Sequence, residues 1–215
     1  MKNDYISLSP RNDKFGSRSR GGWMLSLTAL LLWPLFAVAT DSMDYLDKAR
    51  SFYDKAEYKV AVIHLKNALL IDSGNAQARL LLGKAYLKQQ NAKSAEKELL
   101  LAQELGLPRK DVLPSLGRAW LMNGEYDKVL QNLSIEAEDP LTLQVDILVL
   151  HGKAYFADKS YALAEDKLTS ALKRQPQSAD AKVGMARLAM RDADVAGAER
   201  LVDNAIQADP RNEDA

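Results

Sequence analysis

Cysteine is absent from the chain, and histidine occurs only at His64 and His151, 87 residues apart. The first absence removes disulfides, thiol nucleophiles and thiolate metal sites together. Charge of one sign is lacking as well. The 29 basic and 29 acidic residues give a formal net charge of zero, which leaves no global footprint for nucleic acid, so no nucleic-acid partner is expected. There is no Gly-rich phosphate loop, no His-Glu-x-x-His and no Gly-x-Ser-x-Gly. Acidic residues are scattered as singlets, the pattern of a solvated helix face rather than of paired acid-base catalysis. These absences lead us to expect no catalytic residue, no cofactor and no metal, and a chain that is not an enzyme. No alternating pattern is long enough to compete as a strand. What remains, 47% hydrophobic and 27% charged residues, is the composition of a folded soluble protein.

Residues 1–39 differ from the rest. They hold Lys2, Arg11, Lys14, Arg18 and Arg20 against only Asp4 and Asp13, followed by the uncharged run 23–39, which ends Ala37-Val38-Ala39. A basic leader, an apolar segment and small residues two apart describe a secretory signal peptide with cleavage after Ala39. The alternative is an uncleaved membrane anchor, the chain's one expected contact with a membrane. At 17 residues, with Pro34 inside, the run falls short of the roughly 20 residues of a typical span. Either reading carries the remainder across a membrane, and we expect a periplasmic protein. Arg18 and Arg20 are not adjacent, so a twin-arginine signal is not supported. Removing five basic and two acidic residues leaves 24 basic against 27 acidic, a net charge of about minus three.

The remainder repeats. Gly83-Lys84-Ala85-Tyr86 returns as Gly117-Arg118-Ala119-Trp120 and Gly152-Lys153-Ala154-Tyr155, at spacings of 34 and 35 residues. Such a period marks an array whose units cannot bury their apolar faces alone. From Ser42 onward apolar and small residues recur three and four apart, as in helices. Turn residues fall inside units at 56–58, 90–91, 123–125, 158–160 and 192–194, and between units at 72–75, 106–108, 139–140, 175–176 and 209–210. The spacing predicts five helix-turn-helix units near 42–75, 76–109, 110–144, 145–178 and 179–212. In each, the first helix carries a small residue at its eighth position: Ala49, Gly83, Gly117, Gly152 and Ala186. In four units an aromatic stands three later: Phe52, Tyr86, Trp120 and Tyr155. Second helices repeat alanines seven apart, as at Ala61 and Ala68, Ala95 and Ala102, Ala164 and Ala171, and Ala198 and Ala205. Glycine inside a helix costs roughly 0.5 to 1 kcal/mol relative to alanine. Its recurrence therefore points to a close helix neighbour.

With those positions in phase, residues 42–215 resemble the tetratricopeptide repeat, matched also by Pro176 and Pro210 closing units four and five. The resemblance implies an all-α fold, a right-handed α-solenoid that binds another protein or peptide. Unit three departs, with Val129 and Glu136 where alanines are expected. Its second helix is expected to be short and to run into a loop over 134–141. This degenerate unit reads Gly124-Glu125-Tyr126-Asp127-Lys128-Val129-Leu130 after Val112-Leu113-Pro114-Ser115-Leu116-Gly117-Arg118-Ala119. It resembles the amino-terminal part of the repeat protein of the exosortase (PEP-CTERM) system of exopolysaccharide-producing Gram-negative bacteria. That family's lipid anchor does not carry over, because there is no cysteine for a lipobox. Residues 210–215 align with the opening of unit five, from which we expect a sixth unit that the sequence leaves unfinished.

In a stack of this kind the first helices line the concave side, and positions two, five, nine and twelve form one stripe. Position nine is basic in every unit: Arg50, Lys84, Arg118, Lys153 and Arg187. Position twelve is apolar: Tyr53, Leu87, Leu121, Phe156 and Met190. A ladder of cations beside an apolar strip suits an extended peptide bearing acidic groups or a free carboxylate. The competing reading pairs the cations with Asp111, Asp146 and Asp180 at position two of neighbouring first helices. Two further functional readings are a targeting domain of a periplasmic enzyme whose catalytic part lies elsewhere, and a pilus or outer-membrane assembly factor. His151, at a packing position, and His64, on a second helix, are read as structural.

Overall fold

The computed structural model describes residues 27–210, with side chains from Asp41 onward. Most of the expected leader and the expected opening of a sixth unit therefore lie outside the described residues. The chain divides into two compact units, Met1–Ala37 and Val38–Ala215, and the repeats occupy the second.

The described residues form ten α-helices and no strand. They are α1 (Leu27–Asp54), α2 (Tyr58–Ile71), α3 (Ala76–Lys88), α4 (Ala92–Glu104), α5 (Arg109–Met122), α6 (Tyr126–Asn132), α7 (Leu141–Ala157), α8 (Tyr161–Arg174), α9 (Ala179–Arg191) and α10 (Val195–Ala208). None of them is long and apolar enough to cross a membrane. Each pair packs on itself and then on the next, α3 on α4 and α4 on α5, α7 on α8 and α8 on α9. The repeats thus form a helical solenoid.

Local chemistry sets the helix ends. Asn75, Asn91, Ser178 and Asp194 cap α3, α4, α9 and α10, each side chain accepting a backbone N–H at 2.9 to 3.3 Å from the third residue on. The turn inside every unit has one geometry. Ala56, Gln90, Gly124, Lys159 and Ala193 all have φ between 57° and 75°. The N–H of the following residue donates to the carbonyl five back: Glu57 to Phe52, Asn91 to Tyr86, Glu125 to Trp120, Ser160 to Tyr155 and Asp194 to Ala189, all at 2.8 to 2.9 Å. This is the Schellman ending, in which a left-handed residue lets the chain turn back while orphan carbonyls find donors. Only unit three uses glycine there. The other units carry an exposed side chain in the left-handed region, where the backbone hydrogen bond to the carbonyl five back closes the turn.

The small eighth residue is explained by what faces it. A Cβ on Gly83 would lie 2.6 Å from Leu99 Cγ, and one on Gly152 would lie 2.7 Å from Leu168 Cγ. Real Cβ atoms essentially never approach so closely, so a side chain at either position would force the facing leucine to move. A leucine sixteen residues after the small position fills units one to four, as Leu65, Leu99, Leu133 and Leu168, all 1% exposed or less, whereas unit five has the half-buried Val202 there. Leu168 is also met from the other side by Gly184 of the next unit. The first two contacts close a first helix on the second helix of its own unit, and the contact of Gly184 with Leu168 joins unit four to unit five. The repeated alanines Ala61, Ala68, Ala95, Ala102, Ala164, Ala171 and Ala205 are fully buried at the same seams.

Unit three is built differently. Helix α6 has seven residues, and α7 begins at Leu141, four residues ahead of the expected opening of unit four. The additional turn brings Leu143, 1% exposed, to the cluster of Leu116, Val129 and Leu133, which Ile147 of the same helix also joins. Glu136 does not reach the second alanine's place. It lies in the loop, where Arg109 holds it at 2.7 Å and donates at 2.8 Å to the Ser134 carbonyl.

Candidate functional site

The first helices α3, α5, α7 and α9 share one open concavity of about 780 Å³. Lys84, Arg118, Lys153 and Arg187 line it, together with the apolar Tyr53, Leu87, Leu121 and Phe156. Cations and apolar side chains come from the same helices because positions nine and twelve are three residues apart and share a face. Two residues of the stripe fall elsewhere. Met190, 55% exposed, lines a neighbouring apolar concavity of about 440 Å³ with Val183, Ala198 and Val202. Arg50 does not line the groove. Its Nη1 is 3.2 Å from Asp47 Oδ1, one turn earlier in its own helix.

The structure also settles where position-two acids stand. Arg118 Nη2 lies 3.6 Å from Asp180 Oδ2, two first helices further on, rather than pairing with the adjacent one. Asp146 sits partly buried between them. Burial pushes its carboxyl above the usual aspartate range. Arg118 pulls it down, Asp180 adds to the rise, and Lys153 opposes it. Lys84, by contrast, makes no ion pair among the described residues. The ladder is therefore neither wholly paired nor wholly open.

Six lining residues lie off the predicted stripe: Lys88, Ser115, Met122, Tyr126, Ala157 and Asp209. A signal for one of them stood in the sequence. Tyr58, Tyr126 and Tyr161 each open a second helix, and two of them pack edge-on against position twelve, Tyr58 on Tyr53 with centroids 5.2 Å apart and Tyr161 on Phe156 at 5.5 Å. Arg191 stacks over Tyr161 at 4.2 Å. Ser115, 4% exposed, stands where the other first helices carry larger or nonpolar residues, and no period marks it.

The histidines lie away from the concavity. His64 stacks on Phe52 with ring centroids 5.2 Å apart. Burial lowers the pKa of His151, opposed by the carbonyls of Leu133 and Val129. Among the described residues no group of three or more histidine, aspartate and glutamate side chains is arranged to hold a metal.

Comparison with known proteins is consistent with this geometry. No curated protein sequence matches the chain. Similar solved structures include YrrB, described as "a TPR protein with an unusual peptide-binding site", which is 18% identical with a TM-score of 0.53 over 81% of this chain and 89% of its own. PilF of Pseudomonas aeruginosa is 20% identical with a TM-score of 0.62, over 82% and 80%. MamA of Desulfovibrio magneticus RS-1 is 13% identical with a TM-score of 0.58, over 80% and 97%. At these identities the likeness is one of fold. The tetratricopeptide repeat family model matches residues 47–106 and 155–215, more than half of the chain, and leaves out the stretch that contains the irregular unit three. Repeats of this family make protein-protein interaction scaffolds and are generally not enzymes. On its repeat phase, its Gly-Leu seams and this match, the chain belongs to the tetratricopeptide repeat family.

Proposed function

We propose that this chain is an exported scaffold of an exopolysaccharide or exosortase system, holding an extended peptide or a partner protein in its concave groove. The observation that carries the reading is the composition of the groove, with Lys84, Arg118, Lys153 and Arg187 beside Leu87, Leu121 and Phe156 in one concavity. Cations on rigid helices offer charge-assisted hydrogen bonds to carboxylates. The apolar strip beside them buries alternate side chains of an extended chain. The peptide-binding site named for YrrB supports the same use of the fold. Export rests on the basic leader and the apolar run that ends Ala37-Val38-Ala39, and the exosortase assignment on the likeness of residues 112–119 and 124–130.

Arg118→Glu combined with Lys153→Glu tests the groove. The expected outcome is loss of a specific partner in crosslinking from the periplasm, with the helical circular dichroism unchanged. Capture as strong as that of the wild type by a folded double variant would overturn the reading.

A further inference from the structure

An apolar seat lies at the α9–α10 end of the array. In units two to four a leucine closes on a glycine, whereas unit five has Val202 and Ala186 in those places. Valine reaches less far than leucine, and here the seam opens into the concavity of about 440 Å³ lined by Val183, Ala186, Met190, Ala198 and Val202. Glu199 and Asp203, one turn apart on α10, line it too. Neither makes an ion pair among the described residues. Two like charges at that spacing repel each other, so the seat favours an apolar occupant that brings a cation.

A face of that chemistry stands on α2. Lys59, Ile63, Lys66 and Leu70 follow one another at steps of four, three and four, and so share one side of the helix. All four are exposed, Ile63 at 59% and Leu70 at 84%. The other full-length second helices carry Lys97, Asp166 and Arg200 where α2 has Ile63, and Glu104, Lys173 and Gln207 where it has Leu70. The aliphatic pair is therefore not a demand of the repeat. Lys59 and Lys66, like the two acids of α10, make no ion pair among the described residues.

We propose that the chain associates head to tail with a second copy of itself, α2 of one copy seated on the α9–α10 end of the next. Ile63 and Leu70 cover the concavity, and Lys66 between them faces Glu199 and Asp203. Complementary charges fix the register, and covering the aliphatic side chains and Met190 removes apolar surface from water. The two surfaces belong to the first and fifth units, so each association leaves one of each free. The contact is heterologous and either propagates or closes into a ring. It is separate from the groove and stands whether or not the groove takes a peptide.

Sedimentation velocity of the whole chain over a wide range of concentration tests it, with circular dichroism to show that each variant is folded. The wild type is expected to form dimers and larger species as concentration rises. Leu70→Glu places a charge on the α2 face and Met190→Glu places one in the seat. Each alone should weaken association about tenfold or more, because a charge is brought against an apolar surface. A mixture of the two should form a heterodimer and nothing larger, since only the α2 face of the Met190→Glu chain and the seat of the Leu70→Glu chain are intact. Lys66→Glu should also weaken association, and adding Glu199→Lys and Asp203→Lys to the same chain should restore it. A wild type that stays monomeric throughout overturns the proposal. So does association that Leu70→Glu leaves unchanged, the result expected if the seat pairs with its own kind or if the apolar run 23–39 drives assembly. A mixture of the two variants that stays monomeric overturns it as well.

Discussion

Units two and four each close a first helix over a second helix of full length, α4 with 13 residues and α8 with 14, whereas α6 in unit three has seven. The seam is nevertheless the same. Leu99 faces Gly83 and Leu168 faces Gly152. In unit three a Cβ on Gly117 would lie 2.8 Å from Leu133 Cδ1, with Leu150 of α7 at 2.6 Å on the same site. Leu133 is the residue at which α6 has already ended, yet it is as buried as its counterparts. The comparison shows that in units two to four the seam is defined by one leucine seated on one glycine. The length of helix that delivers the leucine is secondary. Unit three replaces its missing turns with α7 residues and a polar clasp. Glu96 of α4 accepts from Trp120 Nε1 at 2.7 Å and from Lys128 Nζ at 2.8 Å, joining unit two to unit three.

The comparison can be broken most directly by removing the shared leucine. Leu133→Ala is expected to cost about as much as Leu99→Ala, roughly 2 to 5 kcal/mol by urea denaturation. A Leu133→Ala cost far below that of Leu99→Ala would show that Leu150 alone holds unit three. A regular seam should also be intolerant of added volume. Ala164→Leu is expected to destabilise by about 1 to 3 kcal/mol in the same measurement, because Ala164 is fully buried and its carbonyl lies within 3.4 Å of where a Cβ on Gly152 would stand.

The clasp belongs to the irregular seam only, so Glu96→Ala sharpens the contrast. It leaves Trp120 Nε1–H, on a side chain 5% exposed, without its acceptor, a loss of about 1 to 3 kcal/mol. Burial alone would raise the Glu96 pKa, but hydrogen bonds from Lys128 and Trp120 outweigh it and hold the carboxyl below its usual value. A lowered acid stabilises the fold above its unfolded pKa and loses that contribution as pH falls through the folded one. The stability gap between wild type and Glu96→Ala should therefore be full at neutral pH and narrow below about pH 4. Asp146→Asn should show the opposite sign and the smallest effect. Burial raises the Asp146 pKa, so its ionised form weakens the fold as pH rises through the raised value. The variant should be slightly more stable than wild type at pH 7, with the two converging below the usual aspartate pKa. Thermal denaturation across that range checks it.

Much of the fold was legible because its causes are local. The eighth-position glycines and the alanine pairs announce close helix contacts, and the Gly and Pro breaks announce helix ends. The missing alanines at Val129 and Glu136 likewise pointed to a shortened α6. The early start of α7 was not legible, since of the added turn only Leu143 is buried, and its place against Leu116 and Leu133 depends on the packed neighbours of α5 and α6. For the site, the cations and apolar residues of units two to four could be placed from position alone. Arg50 could not, because its own Asp47 lies one turn away and competes for it.

The sequence by itself determined the number and phase of the units and the face each first helix turns inward, because a period of 34 residues and steps of three and four are properties of the chain alone. Tertiary structure decided which charges meet. Arg118 reaches Asp180 past an intervening helix, Trp120 finds Glu96 across 24 residues, and Lys84 stays without an ion pair among the described residues. Those outcomes depend on how each helix pair is set against the next, which is a property of the packed array and not of any one unit's sequence.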